Sequence, residues 1–157
     1  GVNEFTMTSE SEFSLMNRTI NRRSKSQFKF DSTSLQGLAV IEGSMEVFDK
    51  TDLKGAVHYN VRDVNSTSTV RPTDYVLRCI QSSPITITLP SKTNNQGRVV
   101  IVKDALGNAG SNNITITGDS SDTIDGSANY VINTNKEGIT LICDGINGWM
   151  ALSRIRP

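Results

Sequence analysis

Two short stretches, "ITITL" (85–89) and "NITIT" (113–117), alternate apolar and polar side chains without a break. A period of two belongs to an extended strand with one face buried and the other wet. The helical period of about 3.6 residues would scatter the same isoleucines around an axis. Ile85, Ile87 and Leu89 therefore face one side and Thr86 and Thr88 the other, a design that Ile114 and Ile116 repeat. "VVIV" (99–102) is apolar on both sides, which predicts a central strand covered on both faces. Further runs follow in "YVLRCI" (75–80), "RVVIV" (98–102), "NYVI" (129–132), "GITLIC" (138–143) and "WMALSRI" (149–155). Strands separated by roughly 8–14 residues predict an all-β chain, built as a sandwich or barrel.

The punctuation between the runs agrees. Pro84 and Pro90 bracket one strand, as expected at an edge or a strand end, where a missing N–H costs nothing. In "KDALGNAG" Asp104 is placed to accept from backbone N–H groups ahead of it, and Gly107 and Asn108 tolerate positive φ. "DTIDGS" and "DGINGW" put Asp-Gly pairs where the chain reverses. No internal repeat of about 20–50 residues stands out, so neither a solenoid nor a propeller is expected.

The preceding residues have a different character. Residues 1–30 read as an N-terminal arm with scattered apolar residues and a basic stretch, Arg18, Arg22, Arg23, Lys25 and Lys29, without an intervening acid. Such a stretch is either a solvated, partner-ordered segment or an anchor for an acidic surface or nucleic acid. Gly1 stands where a Met would start a chain, which reads as a fragment or trimmed product. Residues 31–70 look like short strands: "LAVIEGSMEVFD" around a turn at Glu42-Gly43-Ser44, then "GAVHYNV" with Val57, Tyr59 and Val61 on one side. Residues 71–157 form the regular domain.

Composition narrows the partners. The 157 residues carry 16 basic and 16 acidic side chains, so net charge gives no reason to expect nucleic acid as a partner. The longest apolar runs are of the "VVIV" kind, against about 20 residues for a membrane-spanning helix, so no membrane insertion is expected. Only 36% of residues are hydrophobic, which predicts a protomer that completes its burial against copies of itself.

No catalytic constellation emerges, and the chain is not expected to be an enzyme. His58 is the only histidine and stands between Val57 and Tyr59, with no nucleophile tied to it. Asp119, Asp122 and Asp125 recur every three residues, the wrong spacing for an alternating calcium loop, and read as turn caps. Cys79 and Cys143 continue alternating apolar rows and read as buried free thiols, with a disulfide as the alternative. Neither has metal-spaced partners, and no cofactor is expected. Trp149 reads as core or interface rather than a sugar platform, and Tyr130, next to Asn129, keeps a glycan site in view. Asn17, Asn65 and Asn113 each begin an Asn-x-Thr triplet, relevant only in a secretory setting.

Five motifs in fixed order, "TDYVLRC", "ITITLPS", "GRVVIVKDALGNAGSNNITITG", "DTIDGS" and "ITLICDGINGWMAL", span about Thr73 to Leu152. In that order they resemble a small β module at the C-terminal ends of viral and bacteriophage fibre, spike and tail proteins. The resemblance covers roughly half the chain. It implies a homotrimeric, jelly-roll-like antiparallel sandwich head on a thinner shaft at the virion surface, joined to capsid or tail proteins and contacting a host receptor or glycan. It supplies no catalytic, metal-binding or ligand-binding residue to carry over. A secreted or surface carbohydrate-binding sandwich is the alternative.

Overall fold

The computed structural model describes Thr51 and residues 55–157. These belong almost entirely to the second of two units in the chain, Gly1–Thr51 and Asp52–Pro157. The expected arm of residues 1–30 and the "LAVIEGSMEVFD" strands lie outside the described residues.

Ten strands and no helix make up the described part: β1 (Val61–Val64), β2 (Ser68–Thr69), β3 (Val76–Cys79), β4 (Ile85–Thr88), β5 (Val99–Asp104), β6 (Ile114–Thr117), β7 (Thr123–Ile124), β8 (Asn129–Ile132), β9 (Gly138–Cys143) and β10 (Gly148–Ile155). The fold is all-β, and every run read as a strand after residue 71 is one. Two sheets form, a six-stranded one ordered β1-β3-β5-β9-β10-β7 and a four-stranded one ordered β2-β4-β6-β8.

The expected antiparallel pairing holds only in part. β1–β3, β3–β5, β2–β4, β4–β6 and β7–β10 are parallel; β5–β9, β9–β10 and β6–β8 are antiparallel. From β1 to β6 the chain passes alternately between the two sheets, so each strand lands beside the one two places earlier and runs the same way. The link "QSSP" (81–84) carries the chain from β3 across to β4 in the other sheet, where a hairpin would have returned it to the same one. Three rungs of a short coil result, contrary to the expectation of no solenoid.

Unequal loops hide that repeat. In-register partners in the larger sheet run Val61, Val76, Ile101, offsets of 15 and 25 residues. In the smaller sheet they run Ser68, Ile87, Ile116, offsets of 19 and 29. With no constant period, the sequence carries no visible repeat.

The boundary at residue 71 also moves. β1 and β2 are the first rung, and Val64 and Val70 belong to the core. A parallel rung needs a strand in each sheet, which residues 61–70 supply. Residues 55–60 are not a strand, and Val57, Tyr59 and Val61 stay exposed. Pro84 and Pro90 mark strand ends rather than an edge, because β4 lies between β2 and β6.

The core follows the alternation. Ile85, Ile114 and Ile132 align across the smaller sheet, with Ile87 and Ile116 forming a second row. Opposite them stand Leu77, Val102 and Ile139, and Val100 with Leu141, from the larger sheet. All are buried, and each such side chain contributes about 1.5–3 kcal/mol relative to exposure. Trp149 closes one end, its indole N–H donating to the Pro90 carbonyl at 3.1 Å, so it is core and no sugar platform. β7 and β8 are joined by a tight turn in which Asp125 and Gly126 have φ of 48° and 80°.

Candidate functional site

Buried charge is where chemistry would first be sought in so plain a core. Asp74, Asp104, Asp122 and Glu137 are all buried, and each turns out to be a latch. Asp104, at the end of β5, takes N–H bonds from Gly107 (2.9 Å) and Asn108 (3.3 Å) on Oδ1. Its Oδ2 takes those from Ala109 (3.0 Å) and Lys136 (2.9 Å). Burial works against its charge, but these four backbone donors overcome it and hold the carboxyl below the usual carboxylate range. The forward bonding read from "KDALGNAG" is therefore present, with Gly107 at φ 88°.

Asp74 receives the Arg62 guanidinium, at 2.7 Å for the closest pair, and the Arg71 N–H at 2.8 Å. Asp122 holds Lys92 through its backbone N–H at 2.7 Å and its ammonium at 3.1 Å. Asp125 accepts from the Ala151 N–H at 3.3 Å. Of the three aspartates of "GDSSDTIDG", Asp122 and Asp125 thus hold neighbouring segments, and the three form no metal-holding group among the described residues.

Glu137 was not singled out from the sequence. Its Oε1 accepts from the Tyr130 hydroxyl at 3.0 Å and from the Arg154 guanidinium, whose carbon lies 5.3 Å from the centre of the Tyr130 ring. Oε2 is buried without a hydrogen-bond partner. Burial opposes ionisation, and Arg154 and Tyr130 reverse the balance and keep Glu137 below the ordinary range. Burial and the Glu137 bond push Tyr130 up to about 12. Tyr130 is thereby turned toward the core while Asn129 faces outward, so the two do not form a glycan platform. No sequence signal pointed here, because Tyr130 and Arg154 lie in separate runs and Glu137 in the turn before β9.

His58 is exposed, in the segment before β1. Cys79 and Cys143 are free and buried. Burial, with Asp104 adding to it, pushes Cys79 up to about 12, and burial raises Cys143 as well. Asn65 and Asn113 are exposed. An open, polar cleft of about 510 Å³ is lined by Lys92, Thr93, Asn94, Gln96 and Gly145. It holds no pairing of base and nucleophile.

What remains is surface, and the outer faces of the two sheets differ sharply. The smaller sheet presents hydroxyls in register: Thr69, Thr88 and Thr117 form one row and Thr86 and Thr115 another, with Asn129 and Val131 beyond them. The larger sheet presents Val76, Val99, Ile101 and Ile142 partly uncovered, flanked by Val61 and Met150, which are 53% and 41% exposed. "VVIV" is therefore central, as its pattern required, with Val100 and Val102 buried and Val99 and Ile101 only partly so. Tyr59 and Tyr75 stack beside this face with ring centres 4.0 Å apart. No protein-family model matches the chain, and no curated protein matches it either.

Proposed function

We propose that this chain is a structural head domain of a viral fibre or spike, trimeric, displayed on the virion surface and contacting a host receptor or glycan. The observation that carries this reading is the asymmetry of the strand stack. The chain enters at the first rung, where β1 and β2 are each paired on one side only among the described residues. At the far end β8, β9, β10 and β7 extend the sheets beyond the last rung, and the buried Trp149 plugs the core. β7 and β8 are edge strands too, but the tight turn joining them spans from one sheet to the other and the buried Trp149, paired with Ile124, fills the core beside it, an arrangement that suits the terminal unit of an elongated particle.

Two further points support it. The motif order that resembles fibre heads falls within a single body. The carbohydrate-binding alternative, in turn, loses both of its aromatic candidates, Trp149 to the core and Tyr130 to Glu137. Capsid or tail proteins are the partners this reading requires on the entry side.

The test is sedimentation equilibrium at micromolar concentration followed by binding to host cells. A mass three times the 17.1 kDa chain and saturable attachment are expected. A monomer with a saturable signal on a glycan array would instead establish the carbohydrate-binding module.

A further inference from the structure

We infer that the open polar cleft between the 91–97 loop and the turn at Gly145 is a binding site for an uncharged saccharide. This rests on the reading of the chain as a head domain that contacts a host glycan, and it names the site and the class of sugar.

The two walls are held together by the strands that carry them. β5 begins where β9 ends, the Gly97 N–H donates to the Cys143 carbonyl at 2.9 Å, and the Cys143 N–H donates to the Arg98 carbonyl at 3.0 Å. The loop is also braced from within. The Asn95 amide donates to the Ser91 and Thr93 carbonyls at 2.8 and 3.2 Å, and its oxygen accepts from the Arg98 guanidinium at 3.0 Å. Lys92 ties the loop to Asp122 through its backbone N–H and its ammonium. Such a wall meets a ligand already in place, which limits the ordering that binding would otherwise require.

On either side of Asn95 the amides are unused. Asn94 and Gln96 are exposed, and among the described residues neither side chain makes a hydrogen bond. Gln96 is also aimed. A Cβ at position 145 would stand 2.9 Å from both Cβ and Cγ of Gln96, so the stem of Gln96 lies in the space that the missing side chain of Gly145 leaves.

The lining selects the class of ligand. Each amide both donates and accepts, and the Thr93 hydroxyl does the same. Sugar hydroxyls match a wall of that mixed character. An anion would call for a free cation, but Lys92, the one charged residue of the lining, is paired with the Asp122 carboxylate at 3.1 Å. An apolar ligand would find no apolar side chain among Lys92, Thr93, Asn94, Gln96 and Gly145. The volume of about 510 Å³ is that of an ordinary small-ligand site. A polar cleft stays hydrated when empty, so neither residues 1–50 and 52–54 of this chain nor a second copy is called for as its cover. Few hydrogen bonds in an open cleft give an affinity on the order of millimolar, which repeated copies on one particle raise by avidity.

Saturation-transfer NMR on the full chain tests the site, so that all preceding residues are present as they stand. Lactose, maltotriose and chitotriose are the neutral probes and sialyllactose the acidic one. At least one neutral probe is expected to bind. Gln96→Ala and Asn94→Gly, the latter compatible with the positive φ of 62°, should each weaken that binding about fivefold or more with an unchanged circular dichroism spectrum. Asn129→Ala removes an exposed amide on β8 and should change nothing. Undiminished binding in either cleft variant, or an equal loss in Asn129→Ala, overturns the site. Binding of sialyllactose alone overturns the uncharged class. If no saccharide binds, the inference falls. The head-domain reading then survives where the chain still sediments as a trimer and attaches to host cells, and falls with it where the chain is a monomer that does not attach.

Discussion

Asp104 gathers four backbone N–H groups from two loops onto one carboxylate that water does not reach. Asp104→Ala leaves those donors buried without an acceptor, at a cost on the order of 1–3 kcal/mol for each that finds no substitute. A loss of at least about 3 kcal/mol is expected by urea denaturation. The charge also sets a pH dependence. Asp74, Asp104 and Glu137 all have carboxyls below their ordinary values. Their stabilisation is complete above the unfolded-state range of about 4 and is lost as pH falls through the lower folded values. The thermal midpoint should therefore show no carboxylate-linked loss from pH 8 to 5 and drop below pH 4. Asp104→Asn should flatten that drop, and an unchanged acid limb would show that Asp104 is not among its causes. Asp104 was legible because an Asp before a Gly-Asn turn has an obvious local use. Glu137 was not, because Tyr130 meets it across the loop between the two sheets and Arg154 only through the β9–β10 register, neither of which a local pattern reveals.

Strands were the most readable elements, and their directions the least. Alternation in β4 and β6 follows from the two-residue repeat of an extended backbone, which is the same in parallel and antiparallel ladders. Direction depends instead on where each loop delivers the chain, and "QSSP" delivers it to the opposite sheet. β7 illustrates the limit further, since two residues carry no pattern and are held as a strand only by Gly148 and Trp149 of β10. Gly148 has φ 141°, and a Cβ there would stand 2.4 Å from the Thr123 carbonyl oxygen. The two nearest atoms are both Thr123 backbone, which cannot swing aside as a side chain would. Gly148→Ala should cost roughly 2 kcal/mol or more by urea denaturation. Unchanged stability would mean that β7 is not seated on β10.

At the scale of the whole described body, the question is whether the three rungs and the strands beyond them, β7 to β10, unfold together. Cys79 lies on β3 in the second rung and Cys143 on β9 beyond the last rung, both buried with thiol pKa raised by burial. A shared core spanning both ends predicts that neither reacts with a chromogenic disulfide reagent in the native state and that both become reactive at one denaturant midpoint. Two separated midpoints would divide the body into independent units. The sequence by itself determined the all-β class, the inward and outward sides of nearly every strand and the chemistry of the turns, because these depend on residues within a few positions of one another. Tertiary structure alone decided the three-rung path, the inclusion of residues 61–70, the Glu137 cluster and the partial exposure of Val99 and Ile101. Those depend on loop lengths and on which strand lies beside which, and chain-local periodicity is blind to both.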